Sequence, residues 1–111
     1  MPTFLVERYL PGTPLDELRA GVSRCRLAAA EMRAEGRPVR HVSSVFVAVD
    51  ELCLCRFTAP APDVVAEVNR RANFDYARIS RAETIGTASR TRRTGPGRQE
   101  RRQGKWPPKP R

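Results

Sequence analysis

Two cysteines separated by a single residue, Cys53 and Cys55, lie in an otherwise apolar run of the sequence that reads DELCLCRF. Thiolates bind soft metal ions, and a pair of thiols can also form a redox-active disulfide. The single histidine of the chain, His41, precedes them, and imidazole is a further metal ligand. These residue types raise three interpretations, namely a metal site, a redox pair and the buried side of a β-strand.

The segment around the cysteines is predicted to form a β-hairpin. Val39–Val49 is rich in valine and has no helical period, and Leu52–Phe57 resumes the β pattern after Asp50-Glu51. If these two acidic residues form a two-residue turn, Phe46 pairs with Cys55 across the hairpin. The cysteines then lie in the middle of a strand.

Side-chain alternation decides which residues share a face of this hairpin. Cys53 and Cys55 point to one face, whereas His41 and Arg56 point to the other. A regular register therefore separates His41 from the thiols, although a β-bulge would reverse this. Two cysteines separated by one residue on a strand have a geometry that suits a disulfide poorly. The sequence also lacks the second cysteine pair of the usual zinc sites. The cysteines are interpreted chiefly as small buried hydrophobic residues.

Arg56 interrupts an apolar strand on the same face as His41. A buried guanidinium needs an anionic partner, which Glu7 would supply from a neighbouring strand. Three interpretations stay open. Arg56 could form an ion pair at a dimer interface, or it could lie at the rim of the sheet with its charge in water. The third is a polar pocket, in which Arg56 binds an anionic ligand or Glu7 and His41 bind a metal. Known catalytic motifs, such as a nucleophile elbow or an HExxH helix, do not occur.

The elements on either side of the hairpin complete the order βαββαβ. In sequence they are a strand at Thr3–Leu10, a helix that begins with Thr13 as cap and Pro14 as first residue and ends near Gly36, a helix at Val64–Ala72 preceded by Pro62, and an edge strand at Arg78–Ile85. This order predicts the α+β class and a ferredoxin-like sandwich over residues 2–86, with helices on one face of an antiparallel sheet. Because the other face is apolar as well, we expect a homodimer.

The charge of the chain is concentrated at its C-terminal end. Met1 to Thr87 carry 12 Arg and 11 Asp or Glu, whereas Ala88 to Arg111 carry 9 Lys or Arg and 1 Glu, within a formal net charge of +9. Residues 87–111 are therefore predicted to form a disordered basic tail that contacts nucleic acid or an acidic partner, with Trp106 available for stacking. No run approaches the roughly 20 apolar residues of a membrane span, so we expect a cytoplasmic protein without membrane contact.

Three runs of the sequence, FLVERYLPG, VRHVSSVFVAVDELCLCRFTAP and VVAEVNRRANFDYARISRAETI, resemble in order and spacing the small bacterial proteins of domain-of-unknown-function family 4242. That family includes nickel-binding proteins, and the resemblance covers Pro2 to Gly86. It implies a ferredoxin-like fold that pairs into a dimeric α+β barrel. It also implies Ni²⁺ as a cofactor, with four matching positions able to ligate a metal: Glu7, His41, Cys53 and Cys55.

The sequence thus predicts a homodimeric protein, more a binding protein than an enzyme, that holds a divalent metal such as nickel, or a small ligand, in or beside its barrel. Two alternatives stay open. One is an interaction module that acts through the basic tail. The other is a cavity enzyme of isomerase or monooxygenase type, which the wider superfamily of dimeric barrels implies.

Overall fold

The computed structural model describes residues 1–86 and folds them into a four-stranded antiparallel sheet with two α-helices. The elements are β1 (Thr3–Tyr9), α1 (Leu15–Ala34), β2 (Arg40–Val47), β3 (Leu52–Thr58), α2 (Pro62–Ala72) and β4 (Arg78–Ala82). The strand order across the sheet is β2-β3-β1-β4. This confirms the predicted α+β class and the ferredoxin-like βαββαβ order. The predicted basic tail, residues 87–111, lies outside the described residues.

The helices follow from the spacing of their apolar residues. Apolar residues recur every three or four positions along α1 and predict a buried stripe, the α1 stripe: Leu15, Leu18, Val22, Cys25, Ala29 and Met32. All but two of these residues are buried, since Val22 is partly buried and Leu15, at the start of the helix, is 47% exposed. The helix begins one residue later than predicted, because Pro14 is extended, with ψ at 151°, and no side chain caps the first turn. Neither helix of residues 1–86 is long and apolar enough to cross a lipid bilayer.

Side chains alternate along the central strands and give the sheet two different faces. The covered face, which packs against α1 and α2, carries the buried side chains of β1 and β3: Phe4, Val6, Arg8, Cys53, Cys55 and Phe57. The open face carries the residues between them, among them Leu5, Glu7, Leu54 and Arg56. Val65 and Val68 of α2 complete the core from the helical side.

The turn between β2 and β3 is longer than predicted. β2 ends at Val47, and residues 48–51 form a 3-10 turn that closes with Glu51 in the left-handed region, at φ 50°. Phe46 therefore pairs with Cys53 instead of Cys55. Two-residue hairpin turns require positive φ at one or both of their central residues, and Asp50-Glu51 lacks the glycine or asparagine that adopts this conformation readily. The Glu51 carboxylate stabilises the longer turn by accepting a hydrogen bond of 2.8 Å from the Gly12 amide.

A β-bulge in β2 corrects the predicted position of His41. His41 pairs with Phe57 and Ser43 pairs with Arg56, so Val42 is an extra residue with no partner on β3. The bulge reverses the alternation of side chains at this point. His41 is consequently buried on the covered face and not beside Arg56 on the open face, as the regular register predicted.

Candidate functional site

The two cysteines of β3 form a buried pair on the covered face. Cys53 is 2% exposed and Cys55 is 1% exposed, and their Sγ atoms lie 3.9 Å apart. The strand positions them side by side because residues two apart project from the same face. We call Cys53 and Cys55 the thiol pair.

A chain of hydrogen bonds links the thiol pair through His41 and Ser44 of β2 to α1. Arg26 Nε donates to His41 Nδ1 at 3.0 Å, and His41 Nε2 lies 2.7 Å from Ser44 Oγ. Because a guanidinium can only donate, Nδ1 is the accepting nitrogen and Nε2–H donates to the serine. The Ser44 hydroxyl in turn donates to Cys55 Sγ at 2.9 Å. All donors in the chain are therefore aligned toward the Cys55 sulfur.

This alignment makes Cys55 the more acidic member of the thiol pair. The hydrogen bond from Cys53 lowers the pKa of Cys55, and His41, the positive charge of Arg8 and Ser44 lower it further, against the opposing effect of burial. The pKa of Cys53 is raised, because its thiol is the donor to Cys55 and is itself buried. The groups around the pair therefore favour a thiolate at Cys55 over one at Cys53.

A fully buried arginine, Arg8, lies in the same layer. Its guanidinium packs 3.8 Å from the centre of the Phe74 ring and donates from one nitrogen to the carbonyl oxygens of Phe74 and Asp75 at 3.1 and 3.2 Å. The second terminal nitrogen lies 3.9 Å from Cys25 Sγ, and Nε has no acceptor among the described residues. The ion pairs found within residues 1–86 do not include Arg8. Within residues 1–86 the Arg8 guanidinium is therefore stabilised by two carbonyl oxygens and an aromatic ring, and not by a carboxylate.

Sequence reasoning missed Arg8, although a signal for it was present. Phe4, Val6 and Arg8 lie two residues apart in β1 and therefore project from the same face of the sheet. A strand that buries the first two must also direct the third toward the helices.

The third cysteine, Cys25, lies beside this arginine on α1, and burial raises the pKa of its thiol to about 11. Cys25 is thus a neutral core residue, as its place in the α1 stripe predicted.

The open face holds the remaining predicted site residues. Glu7 accepts a hydrogen bond of 2.7 Å from Arg78 Nε on β4, and not from Arg56. Arg56 is half-buried on the same face and pairs across the sheet with Leu5 and Ser43. The structure therefore brings together His41, Cys53 and Cys55 and leaves Glu7 and Arg56 on the opposite side of the sheet.

A groove between α1 and β2 gives access to this cluster. Its volume is about 450 Å³, and the residues that line it include Leu15, Leu18, Val22 and Phe46 together with His41, Ser44 and Cys53. A second cavity of about 270 Å³ continues from it past Arg26 and His41, which line both, and is completed by Ala29, Arg33 and Arg40. Arg56 lines neither cavity.

The donor atoms fit a soft metal ion only in part. In residues 1–86 no three His, Cys, Asp or Glu side chains lie close enough together to hold an ion as they stand. Both ring nitrogens of His41 are occupied by hydrogen bonds, whereas the two sulfur atoms are adjacent. The residues therefore provide two adjacent sulfur ligands, and the Ser44 hydroxyl lies between these and the His41 imidazole.

The fold and the buried thiol–imidazole cluster define a small ferredoxin-like α+β protein. The chain matches the model of a family described as nickel responsive protein, SCO4226-like, over residues 4–81. It belongs to that SCO4226-like family, and the predicted label of domain-of-unknown-function family 4242 is not confirmed. A solved structure from Streptomyces coelicolor A3(2), of SCO4226, is 18% identical and covers 78% of this chain and 99% of its own, with a TM-score of 0.59. At this identity the likeness shows the fold alone. No curated protein matches the chain.

Proposed function

We propose that the protein binds a soft divalent metal ion, with Ni²⁺ as the first ion to test, through the thiol pair. The observation that carries the proposal is the 3.9 Å separation of the Cys53 and Cys55 sulfur atoms on one side of β3. Metal–sulfur bonds of about 2.3 Å at a tetrahedral angle place two sulfur ligands about 3.8 Å apart, so the pair can hold one ion with little movement.

The chemistry of the neighbouring groups supports the same proposal. Thiolate and imidazole ligands suit nickel, copper and zinc, and ligands must lose their protons to bind. Cys55 already receives hydrogen bonds that favour its thiolate. His41 would add a third donor if its contact with Ser44 opened, whereas Glu7 has no part because it lies on the open face. The description of the family as nickel responsive agrees with this assignment.

Titration of the full chain with Ni²⁺, followed by absorbance and calorimetry, tests the proposal. The chain contains no cysteine or histidine beyond Cys25, His41, Cys53 and Cys55, so a thiolate-to-nickel charge-transfer band can arise only from these cysteines. We expect Cys53→Ser and Cys55→Ser each to weaken binding by about 100-fold, because each removes one of two sulfur ligands. Cys25→Ser is the matched control, since it alters a buried thiol outside the pair.

Two results would reject the metal function. One is the absence of the charge-transfer band at a Ni²⁺ concentration that saturates a simple dithiol peptide. The other is an equal loss of affinity in Cys25→Ser, because that variant leaves both proposed ligands in place.

We further propose that two copies of the chain pair through the open face of the sheet. Val45 is 58% exposed there and is the cross-strand neighbour of Leu54. Apolar side chains on a sheet face that no helix covers favour association with a second copy. Val45→Glu and Leu54→Glu should therefore halve the molar mass measured by light scattering. Val49→Glu is the control, because Val49 is 88% exposed in the turn. A mass equal to one chain in the unmodified protein would refute the pairing.

The two alternative functions stay predictions. Contact of the basic tail with nucleic acid or an acidic partner concerns residues outside the described part of the chain. An isomerase or monooxygenase activity would use a ligand cavity inside the barrel that two copies of the chain would form.

A further inference from the structure

We infer that the α1–β2 groove and the arginine-lined cavity beside it form one binding site for a small amphipathic anion, a carboxylic acid with an apolar chain or ring. The apolar body would lie in the groove and the carboxylate among the arginines. This inference does not rest on metal binding, because the residues that carry it are not the thiol pair.

The groove supplies the apolar half of the site. Among its lining residues Leu15 is 47% exposed, and Val22 and Phe46 are only partly buried although they pack against the core. A volume of about 450 Å³ lies within the range of small-molecule sites, which are mostly apolar and contain a few polar groups. The fixed polar groups here are His41 and Ser44, whose orientations their hydrogen bonds determine.

The adjoining cavity supplies the cationic half, which we call the cationic end: Arg26, Arg33 and Arg40. Arg26 is fixed by its bond to His41, and Arg33 donates to the Val39 carbonyl oxygen at 2.8 Å. Each of these two side chains uses one N–H in this way and retains others for a ligand. Guanidinium groups bind carboxylates with paired hydrogen bonds, so three of them in one cavity favour an anion.

The charge at this end is not compensated within the described residues. The side chains of Glu31 on α1 and of Glu35, which directly follows α1, are turned to the other helix, where both pair with Arg71. The ion pairs of residues 1–86 use Arg70, Arg71 and Arg78, and none uses the cationic end. No Asp or Glu lines either cavity. The surface therefore complements a ligand that carries negative charge at one end and is apolar at the other.

Titration of the full, metal-stripped chain with octanoate, followed by NMR, tests this inference. Octan-1-ol, which has the same chain length without the charge, is the matched ligand control. We expect octanoate to bind at least about tenfold more tightly than the alcohol. Resonances of Val22, Ser44 and Phe46 should shift on binding.

Variants then separate the site from general attraction to a basic protein. We expect Arg33→Gln and Arg40→Gln together to weaken octanoate binding by about tenfold. Phe46→Ala should weaken the binding of both octanoate and octan-1-ol. Arg81→Gln removes one positive charge from the distant β4 and should leave the affinity unchanged. Thermal unfolding of each variant checks that it is folded, and Arg33→Lys should recover part of the affinity if the charge is what matters.

Three outcomes would overturn the inference. The first is an equal affinity for octanoate and octan-1-ol. The second is an equal loss of octanoate affinity in Arg81→Gln and in the double variant. The third is binding that shifts other resonances but not those of the groove residues. The last two would assign any binding to other arginines of the chain. None of these outcomes bears on the Ni²⁺ titration, so the two proposals fail independently.

Discussion

The two faces of the sheet differ in how they treat charge. On the open face, Glu7 and Arg78 form an ion pair at the surface, and Arg56 is half-buried. On the covered face, Arg8 is fully buried without a carboxylate, next to three free thiols. Adjacent residues of one strand, Glu7 and Arg8, thus meet opposite environments. Burial, and not residue type, therefore decides which charged groups alter the pKa of their neighbours and can contribute to a functional site.

The difference also separates two kinds of polar contact. Ion pairs exposed to water contribute little to stability, because water and salt screen them. Hydrogen bonds inside the covered face act in a poorly solvated medium, where an unpaired group is costly. The chain Arg26, His41, Ser44, Cys55 therefore has a structural effect as well as a chemical one, and substitutions on the two faces should differ sharply.

The largest contrast is expected between Arg8→Ala and Arg56→Ala. Loss of Arg8 leaves two carbonyl oxygens and the Phe74 ring without their partner, and we expect it to lower the free energy of unfolding by about 3 kcal/mol. For Arg56 the expected loss is below about 1 kcal/mol. Urea unfolding followed by circular dichroism measures both. Equal losses would mean that the covered face does not depend on its buried arginine.

A smaller loss of stability is expected from a substitution at Gly21, where α1 approaches the Phe74 ring that packs on Arg8. A Cβ atom added at Gly21 would lie 2.7 Å from the Phe74 ring. Alanine normally stabilises a helix by about 1 kcal/mol relative to glycine. Here we expect Gly21→Ala to destabilise the protein by about 2 kcal/mol, because the ring must move.

The double variant Gly21→Ala/Phe74→Leu provides the control for that contact. Since leucine lacks the ring atoms that meet the new methyl group, the alanine should cost less in this background than in the parent chain. An unchanged cost in the double-mutant cycle would show that the ring is not the obstacle.

The bulge supplies a matched pair of neighbouring serines for the next comparison. Ser44 lies on the covered face between His41 and Cys55, whereas Ser43 pairs with Arg56 on the open face. Ser44→Ala should cost about 1 kcal/mol of stability, because it removes one donor and one acceptor from a partly buried chain. Ser43→Ala should change stability by less than about 0.5 kcal/mol. The opposite ranking in thermal unfolding would contradict the register of β2.

The smallest effect is expected at the surface ion pairs of α2, in which Glu67 and Arg71 are partly buried. Hydrogen bonds from Arg70 and then Arg71 lower the pKa of Glu67 from 4.5 to about 2. Because the folded state holds the carboxylate more strongly than the unfolded state does, this contribution is complete above pH 4.5 and is lost as the pH falls toward 2. Glu67→Gln should therefore flatten the acid limb of the stability curve between these values. A limb of unchanged slope would show that water screens the pairs completely.

The fold was predictable because its signals are local and repeated. The α1 stripe, the proline that begins α2 and the alternation in β3 each specify one element, and their order specifies the sandwich. The thiol pair followed from the same alternation. These features depend only on residues close together in the chain.

The rest of the site depends on contacts that the local pattern does not encode. Val42 lies in a valine-rich run in which any residue could be the bulge, and the pairing with β3 decides which one is. That single extra residue moved His41 to the other face. Arg8 follows the same alternation as Phe4 and Val6, but arginine is rarely found fully buried, so the alternation alone does not single it out. Sequence therefore located the cysteines and misplaced the groups that tune them.

Arg8 Nε–H provides an intrinsic reporter of motion in the core. It is shielded from water and has no acceptor among the described residues, so its proton can exchange with solvent only when the helices separate from the sheet. Its resonance should persist long after other arginine side-chain signals have disappeared in deuterated solvent. The rate at which it fades would measure how often the interior opens, and any slowing on addition of Ni²⁺ would reveal that an ion holds the layers together.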